Sequence, residues 1–327
     1  MKESEIRKRE VFNKYLELVN EDVKTMFDFE TFNEVPCPAC HSTAYNKEFD
    51  KSGFTYVSCT KCETLFINPR PDIQTLNKFY SHSVSTEFWV EDFFKPVMNV
   101  RMEKIFKPRA SELVNEFPEY KASKIGDIGA GFGLMLEALK THWPQANLIA
   151  IEPSESMANE CRSRGFEVYE SMLEDIEESA GNFDLLVSFE LFEHLYDPEE
   201  FLNQCKKLLN PGGRLIMTTL SGKGFDIQLL WEKSKSISPP HHLNFFNPES
   251  VEILANRVGF TVEKISTPGR LDWDIVEGMH REENVPLPRL WKQVVNAEDE
   301  VKRQLQSWIK ESKLSSHMRF ILRKDDL

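Results

Sequence analysis

From Lys121 onward the chain alternates short apolar strands with helix-length amphipathic stretches, and this rhythm restricts the fold more than any other feature. "SKIGDIG" reads as a strand and Phe132–His142 as a helix. "NLIAIEP" is a strand, and "SESMANECRSRG" a helix closed by Gly165. "FEVYE" and "FDLLVSF" add two strands. Asp197–Leu209 is a helix stopped by "NPGG", ahead of the strand "GRLIMTTL". In "NPESVEILANRVGF" a helix is expected with Asn247 as its cap and Pro248 at its first position, and "TVEKIS" follows as a strand. A polar helix over 290–312 and a strand over 317–324 close the chain. Helix-length crossovers demand parallel neighbours, so the expected class is α/β, a mostly parallel sheet between helices.

The upstream residues divide differently. Residues 1–35 form a helical segment in which Ile6, Val11, Tyr15, Leu16, Val19 and Val23 share a stripe. Residues 36–70 carry paired cysteines and strand-like runs, broken off by "NPRPD". Residues 71–120 read as an aromatic-rich helical connector or lid, interrupted at Pro96 and Pro108, and residues 121–327 as the α/β domain. With 40% hydrophobic and 28% charged residues the chain buries a real core. No apolar run approaches the roughly 18 residues of a membrane span. "MKESEIRKRE" has no apolar signal region, so a cytoplasmic location is expected. A net charge of −13 argues against a protein held to nucleic acid by its overall field.

The first strand of the α/β region ends in "KIGDIGAGFG", where four of the chain's 14 glycines fall within eight residues. Mid-element glycine costs roughly 0.5–1 kcal/mol relative to alanine, so the cluster implies close approach to backbone. In an open α/β sheet ligands bind at the carboxyl ends of the strands, where strand order reverses. The dinucleotide fingerprint would need a small residue at position 134, which is Leu134. The spacing here is instead acid-x-Gly-x-Gly-x-Gly, from Asp127 through Gly129 and Gly131 to Gly133. Glu152 follows 19 residues after Gly133, where a carboxylate accepts both hydroxyls of a ribose.

Cys37-x-x-Cys40 and Cys59-x-x-Cys62 stand 18 residues apart, the spacing of a two-knuckle zinc site. Four thiolates close a tetrahedron with no vacant position, which predicts a structural rather than a catalytic ion. Disulfides are the rival, disfavoured in a reducing compartment. His41 is expected beside the knuckle, and Cys161 and Cys205 as small buried hydrophobes.

The acid and glycine pattern resembles the first motif of class I S-adenosylmethionine (SAM)-dependent methyltransferases. "LIAIEPS", "SMLED", "FDLLVSFELFEHLYDPEEFL" and "LLNPGGRLIMTT" resemble the later blocks of that family, in order, over about Lys121 to Ser266. The resemblance implies a Rossmann-like class I methyltransferase fold with a seven-stranded sheet. It implies a SAM site at Asp127, Gly129, Ala130, Gly131 and Gly133, with Glu152 and Pro153 at the ribose. Met172 and Leu173 would enclose the adenine, and Glu190 would contact the amine or orient the acceptor. "CPACHST…YVSCTKCETLFINPRPD" and "GFDIQLLWEKSKSISPPHHLNFFNPES" resemble methyltransferases of sugar and surface-polysaccharide pathways that carry an N-terminal zinc-binding domain, sugar C-methyltransferases among them. The implied partner is a small molecule, such as a nucleotide-sugar or glycan precursor.

Methyl transfer to a hydroxyl or carbon acid needs a proton removed, best done by a group titrating near neutrality. His194, His241 and His242 are the catalytic candidates, with His241 preferred; Glu193 is weighed beside Glu190. The alternative function is an RNA methyltransferase using the zinc ribbon, against which stand the acidic balance and only Lys47, Lys51 and Lys61 between the knuckles. A non-catalytic scaffold is the third reading, disfavoured by the intact loop and Glu152.

Overall fold

The computed structural model describes residues 3–326. Its eleven strands, in chain order, are β1 (Tyr45–Lys51), β2 (Phe54–Cys59), β3 (Leu65–Ile67), β4 (Lys124–Ile128), β5 (Asn147–Ile151), β6 (Glu167–Tyr169), β7 (Phe183–Phe189), β8 (Leu209–Leu220), β9 (Asn244–Phe245), β10 (Thr261–Ser266) and β11 (His317–Arg323). The chain forms two compact units. One comprises residues 1–98, 220–250 and 266–318, the other residues 99–219, 251–265 and 319–327.

The second unit is built on the seven-stranded sheet, of order β10-β11-β8-β7-β4-β5-β6. Pairs β4–β5, β4–β7, β5–β6 and β7–β8 are parallel. The expected Rossmann-like sheet is therefore present, and strand order reverses at β4. Register places Asp127 opposite both Ala150 and Val187, so β4, β5 and β7 end side by side. Both faces are covered, and Ile125, Leu136, Leu139, Trp143, Leu148, Leu185 and Ile216 are fully or nearly fully buried. Each such side chain contributes about 1.5–3 kcal/mol by leaving water. Gly126 belongs to this packing: a Cβ there would stand 2.8 Å from Leu186 Cδ2.

Strands β7 and β10 have the limits read from sequence. "NPGG" differs: it does not precede β8 but lies within it, since the strand begins at Leu209. Asp197 caps the helix Pro198–Leu208 by accepting from the Glu199 and Glu200 amides at 3.1 and 3.0 Å. Pro108 does not interrupt the connector. It sits in the first turn of helix Lys107–Glu116, preceded by a π-helical turn, Met102–Phe106, that absorbs the missing amide.

In the first unit β1, β2, β3 and β9 form an antiparallel sheet. Helix Arg9–Met26 buries Phe12, Tyr15, Val19 and Val23. Its burial of Asp22 breaks the apolar stripe for a reason: that carboxylate accepts from the Ser85 amide at 2.8 Å, at the start of helix Val84–Phe88. Pro96 lies in a 3₁₀ turn, Lys95–Val97, after π-helical Trp89–Phe94. Asn247 caps the next helix: it accepts from the Ser250 amide, and Ser250 Oγ accepts from the Asn247 amide, both at 2.8 Å. The stretch 290–312 is two helices, Arg289–Val295 and Asp299–Glu311. Asn and Asp side chains around the break compete for backbone groups and disfavour a continuous helix. These helices, with Phe225–Leu230 and Asp272–Glu283, surround Leu230, Trp273, Val276, Met279 and Leu287. Among the described residues no helix is long and apolar enough to cross a membrane.

Candidate active site and metal centre

The turn after β4 runs left-handed at three glycines. Gly131 has φ +54°, and a Cβ built there would meet nothing within 4 Å. Open space above a left-handed glycine is what a ligand lying on backbone requires. Gly133, at φ +71°, answers to packing instead, because a Cβ would approach Cys161 Sγ at 3.1 Å. The Gly131 peptide is tied at both ends. Its N–H donates to Glu152 Oε2 at 2.8 Å, and its carbonyl accepts from the Cys161 thiol at 3.2 Å. Glu152 Oε1 accepts from the Ser154 amide at 3.0 Å.

Asp127 is 3% exposed and Glu152 6%. Burial pushes the Asp127 carboxyl up to about 8; Glu152 raises it further and Arg109 opposes the rise. Burial also raises Glu152, against which the two amide bonds act. Two buried acids side by side at a strand switch call for a cation.

Arg109 was missed by sequence reading, because it lies on helix Lys107–Glu116, outside every motif. Its guanidinium lies 4.6 Å from the centre of the Phe189 ring and donates to Glu190 Oε1 at 3.3 Å. Desolvation lowers its pKa, while Glu190 and Asp127 support its charge. Glu190 is held left-handed at φ +55°, and Oε1 also accepts from Thr218 Oγ1 at 2.7 Å. A basic residue about 20 positions before the glycine turn was the only available signal.

Of the two residues expected at the adenine, Met172 is exposed at 46%, and Leu173 is buried and opens a 3₁₀ turn with its neighbours. Pro153 is exposed and Ala130 half-buried. The second unit thus brings Asp127, Gly129–Gly133, Glu152 and Glu190 to one end of the sheet. His194 ends the 3₁₀ turn straight after β7, and a ring nitrogen lies within 4.8 Å of a Glu193 carboxylate oxygen. Glu193 is buried and accepts from Thr219 Oγ1 at 2.7 Å. Burial, then Glu190, raises it to about 8.

His241 and His242 lie in the first unit. The His241 ring sits among Phe79, Tyr80 and Tyr15, with ring centres 4.9, 5.6 and 5.8 Å away. His242 Nδ1 donates to the Ser236 carbonyl at 2.6 Å, fixing its tautomer. Pro239–His241 form a turn.

The four cysteines of the first unit gather by two copies of one local device. Cys37 N–H donates to Ser42 O and His41 N–H to Cys37 O, each at 2.9 Å. Cys59 N–H to Thr64 O and Glu63 N–H to Cys59 O repeat this at 2.9 Å. His41 (φ +58°) and Glu63 (φ +56°) are the matching left-handed residues. The four sulfurs lie within 4.8 Å of one another, with Cys37–Cys62 and Cys40–Cys59 at 3.5 Å. Zn–S bonds of about 2.3 Å give tetrahedral edges near 3.8 Å, so the set fits zinc. The cysteines are free, not disulfides. His41 is exposed and outside the cluster, while Cys161 and Cys205 are fully buried.

A family model described as a methyltransferase domain matches residues 102–265, just over half of the chain. A ubiquinone biosynthesis O-methyltransferase of Coxiella burnetii is 26% identical over 137 residues, covering 40% of this chain and 58% of the relative. The mitochondrial ubiquinone biosynthesis O-methyltransferase of Homo sapiens is 32% identical over 158 residues, 43% of this chain and 42% of the relative. The chain thus spans about half the length of these relatives, and their names carry no sugar substrate. Among solved structures, the plantazolicin methyltransferase BpumL in complex with SAH aligns with a TM-score of 0.50 at 16% identity, covering 76% of this chain and 94% of that one. That likeness is one of fold. Since the matched span takes in the glycine turn, both buried acids and the four parallel pairs among β4, β5, β6, β7 and β8, the chain belongs to the methyltransferase domain family.

Proposed function

We propose that the protein transfers a methyl group from SAM to a hydroxyl or carbon of a small molecule. The observation that carries this reading is the buried Asp127–Glu152 pair beside the open Gly131 backbone. SAM, when bound, supplies an electrophilic methyl on a sulfonium and an ammonium that suits buried carboxylates. Glu152 would exchange its two amide bonds for ribose hydroxyls, Asp127 would face the ammonium, and Arg109 would receive the amino-acid carboxylate. Ala130, Pro153, Met172 and Leu173 complete the proposed site, and the turn at Leu173 encloses the base. Positioning is the main task of such a site, because the methyl is already activated.

We assign the acceptor's proton to His194, which stands in the same unit as the glycine turn and directly after β7. His241 and His242 are the alternatives to be tested. Zinc held by Cys37, Cys40, Cys59 and Cys62 would be structural, closing the ribbon without touching the chemistry.

The sugar acceptor rests on the resemblance of the cysteine module and the segment around His241. A second reading, a phenolic hydroxyl, rests on the ubiquinone names of the two relatives. Nucleic acid is disfavoured by specific contacts: Lys47 pairs with Asp50 at 2.5 Å, and Lys51 donates to the Ser234 carbonyl at 2.6 Å. The test is transfer of labelled methyl from SAM to nucleotide-sugars and to polyprenylated catechols. Product from the first class alone supports the sugar reading; product from catechols alone overturns it. Unimpaired turnover by His194→Ala would overturn the base assignment.

A further inference from the structure

The first unit contains an open groove of about 590 Å³, a size typical of small-molecule sites. His280 and Arg281, from the last turn of helix Asp272–Glu283, form one wall. Lys292 and Asn296, from helix Arg289–Val295 and its cap, form the other, and Asn284 lies at the connection. Pro286 and Val295 supply the apolar floor. None of these lining residues is acidic, in a chain with 53 carboxylate side chains against 40 lysines and arginines.

Two neighbouring acids are engaged elsewhere: Glu282 pairs with Arg9 and Glu283 with Lys235. Glu277 is shared between Arg281, at 2.7 Å, and Lys302, at 2.9 Å. Two of the three basic groups are fixed in place. His280 Nδ1 donates to the Val285 carbonyl at 2.8 Å, leaving Nε2 for a guest. Arg281 donates from Nε to Glu277 and from Nη2 to the Val295 carbonyl, both at 2.7 Å, leaving Nη1. Asn284 is pinned left-handed at φ +56°. A helix C-terminus attracts cations on its own account. That explains His280 and Arg281, and Lys292 in the last turn of its own helix. Asn284 and Asn296 cap the two helices, and Asn296 Nδ2 donates to the Lys292 carbonyl at 3.1 Å. What capping leaves unexplained is that both helix ends turn these groups onto one groove.

We infer that this groove binds a small molecule bearing a phosphate or carboxylate, with Lys292 and Arg281 on the anion and Asn284 and Asn296 on its polar remainder. The inference goes beyond the methyl-donor reading and does not depend on it. Guanidinium and ammonium donors to an oxyanion form strong, charge-assisted bonds, and a half-built cradle of fixed donors loses little freedom on binding.

The test is calorimetric titration of the zinc-loaded full chain with inorganic phosphate, pyrophosphate and citrate. One saturable site is expected, and the tighter of the phosphate and carboxylate probes identifies the group. Lys292→Glu should weaken it by about tenfold or more and Lys292→Arg by less than about threefold. Lys292 is exposed, so both variants are expected to fold. S-adenosylhomocysteine titrated into the same variants should bind as it does to wild type, which separates this groove from the glycine turn. No saturable binding of any probe, or equal affinity in Lys292→Glu, would overturn the inference.

Discussion

The cysteine cluster and the carboxylate pair are both buried groups of potential anions, yet they are assembled in opposite ways. The four sulfurs come from 26 residues of chain by repeating one turn, with His41 and Glu63 left-handed in matching places. The carboxylate site draws Arg109, Asp127, Glu152 and Glu190 from four elements that only the sheet brings together. A locally built site depends on its guest to hold its own backbone. A sheet-built site is held by the fold and merely receives its guest. Removing the guest should therefore unfold the first and leave the second intact.

The sharpest break of that contrast is Cys59→Ser. It should abolish stoichiometric zinc and melt the ribbon, because apparent binding energies of structural zinc reach about 10–16 kcal/mol. Metal content and circular dichroism check both, and a folded, metal-free ribbon would show that the knuckles stand alone. Glu152→Ala comes next. It should weaken SAM binding by about ten- to a hundredfold, the worth of one or two charge-assisted bonds, while melting little below wild type.

Asp127→Asn sharpens the comparison through pH. The carboxyl rises from 3.8 to about 8 in the folded chain. Its protonated form is thus favoured by folding, and its contribution is full below pH 3.8 and is lost as pH rises through about 8. The variant should lack that loss: its melting temperature should match wild type near pH 4 and exceed it by a growing margin up to pH 9. An unchanged pH profile would show that Asp127 is not a desolvated acid. Arg109→Met is the smallest effect, raising the KM for SAM by about tenfold with little change in kcat, as expected for a group that binds ground and transition states alike.

This contrast also explains what the sequence disclosed. Cys37, Cys40, Cys59 and Cys62 were legible because their geometry is written in spacing alone. The strand order was legible because each crossover is long enough for a helix, and Asp127 and Glu152 followed from their places at strand ends. Arg109 was not, since its neighbours Phe189 and Glu190 lie about 80 residues away and no periodicity records that meeting. The prolines misled for a related reason. Propensity marks Pro96 and Pro108 as breaks, but wide turns ahead of them let the helical path continue.

The central claim is that buried carboxylates around a bare turn receive a cationic methyl donor. Its most direct test is calorimetric titration of the zinc-loaded protein with SAM at pH 7, repeated in buffers of different ionisation enthalpy. One molecule should bind per chain, releasing a fraction of a proton as the cation pulls Asp127 into its charged form, and Asp127→Asn should bind more weakly with that release removed. Absence of binding, or binding that leaves the proton count and Asp127→Asn unaffected, would contradict the account.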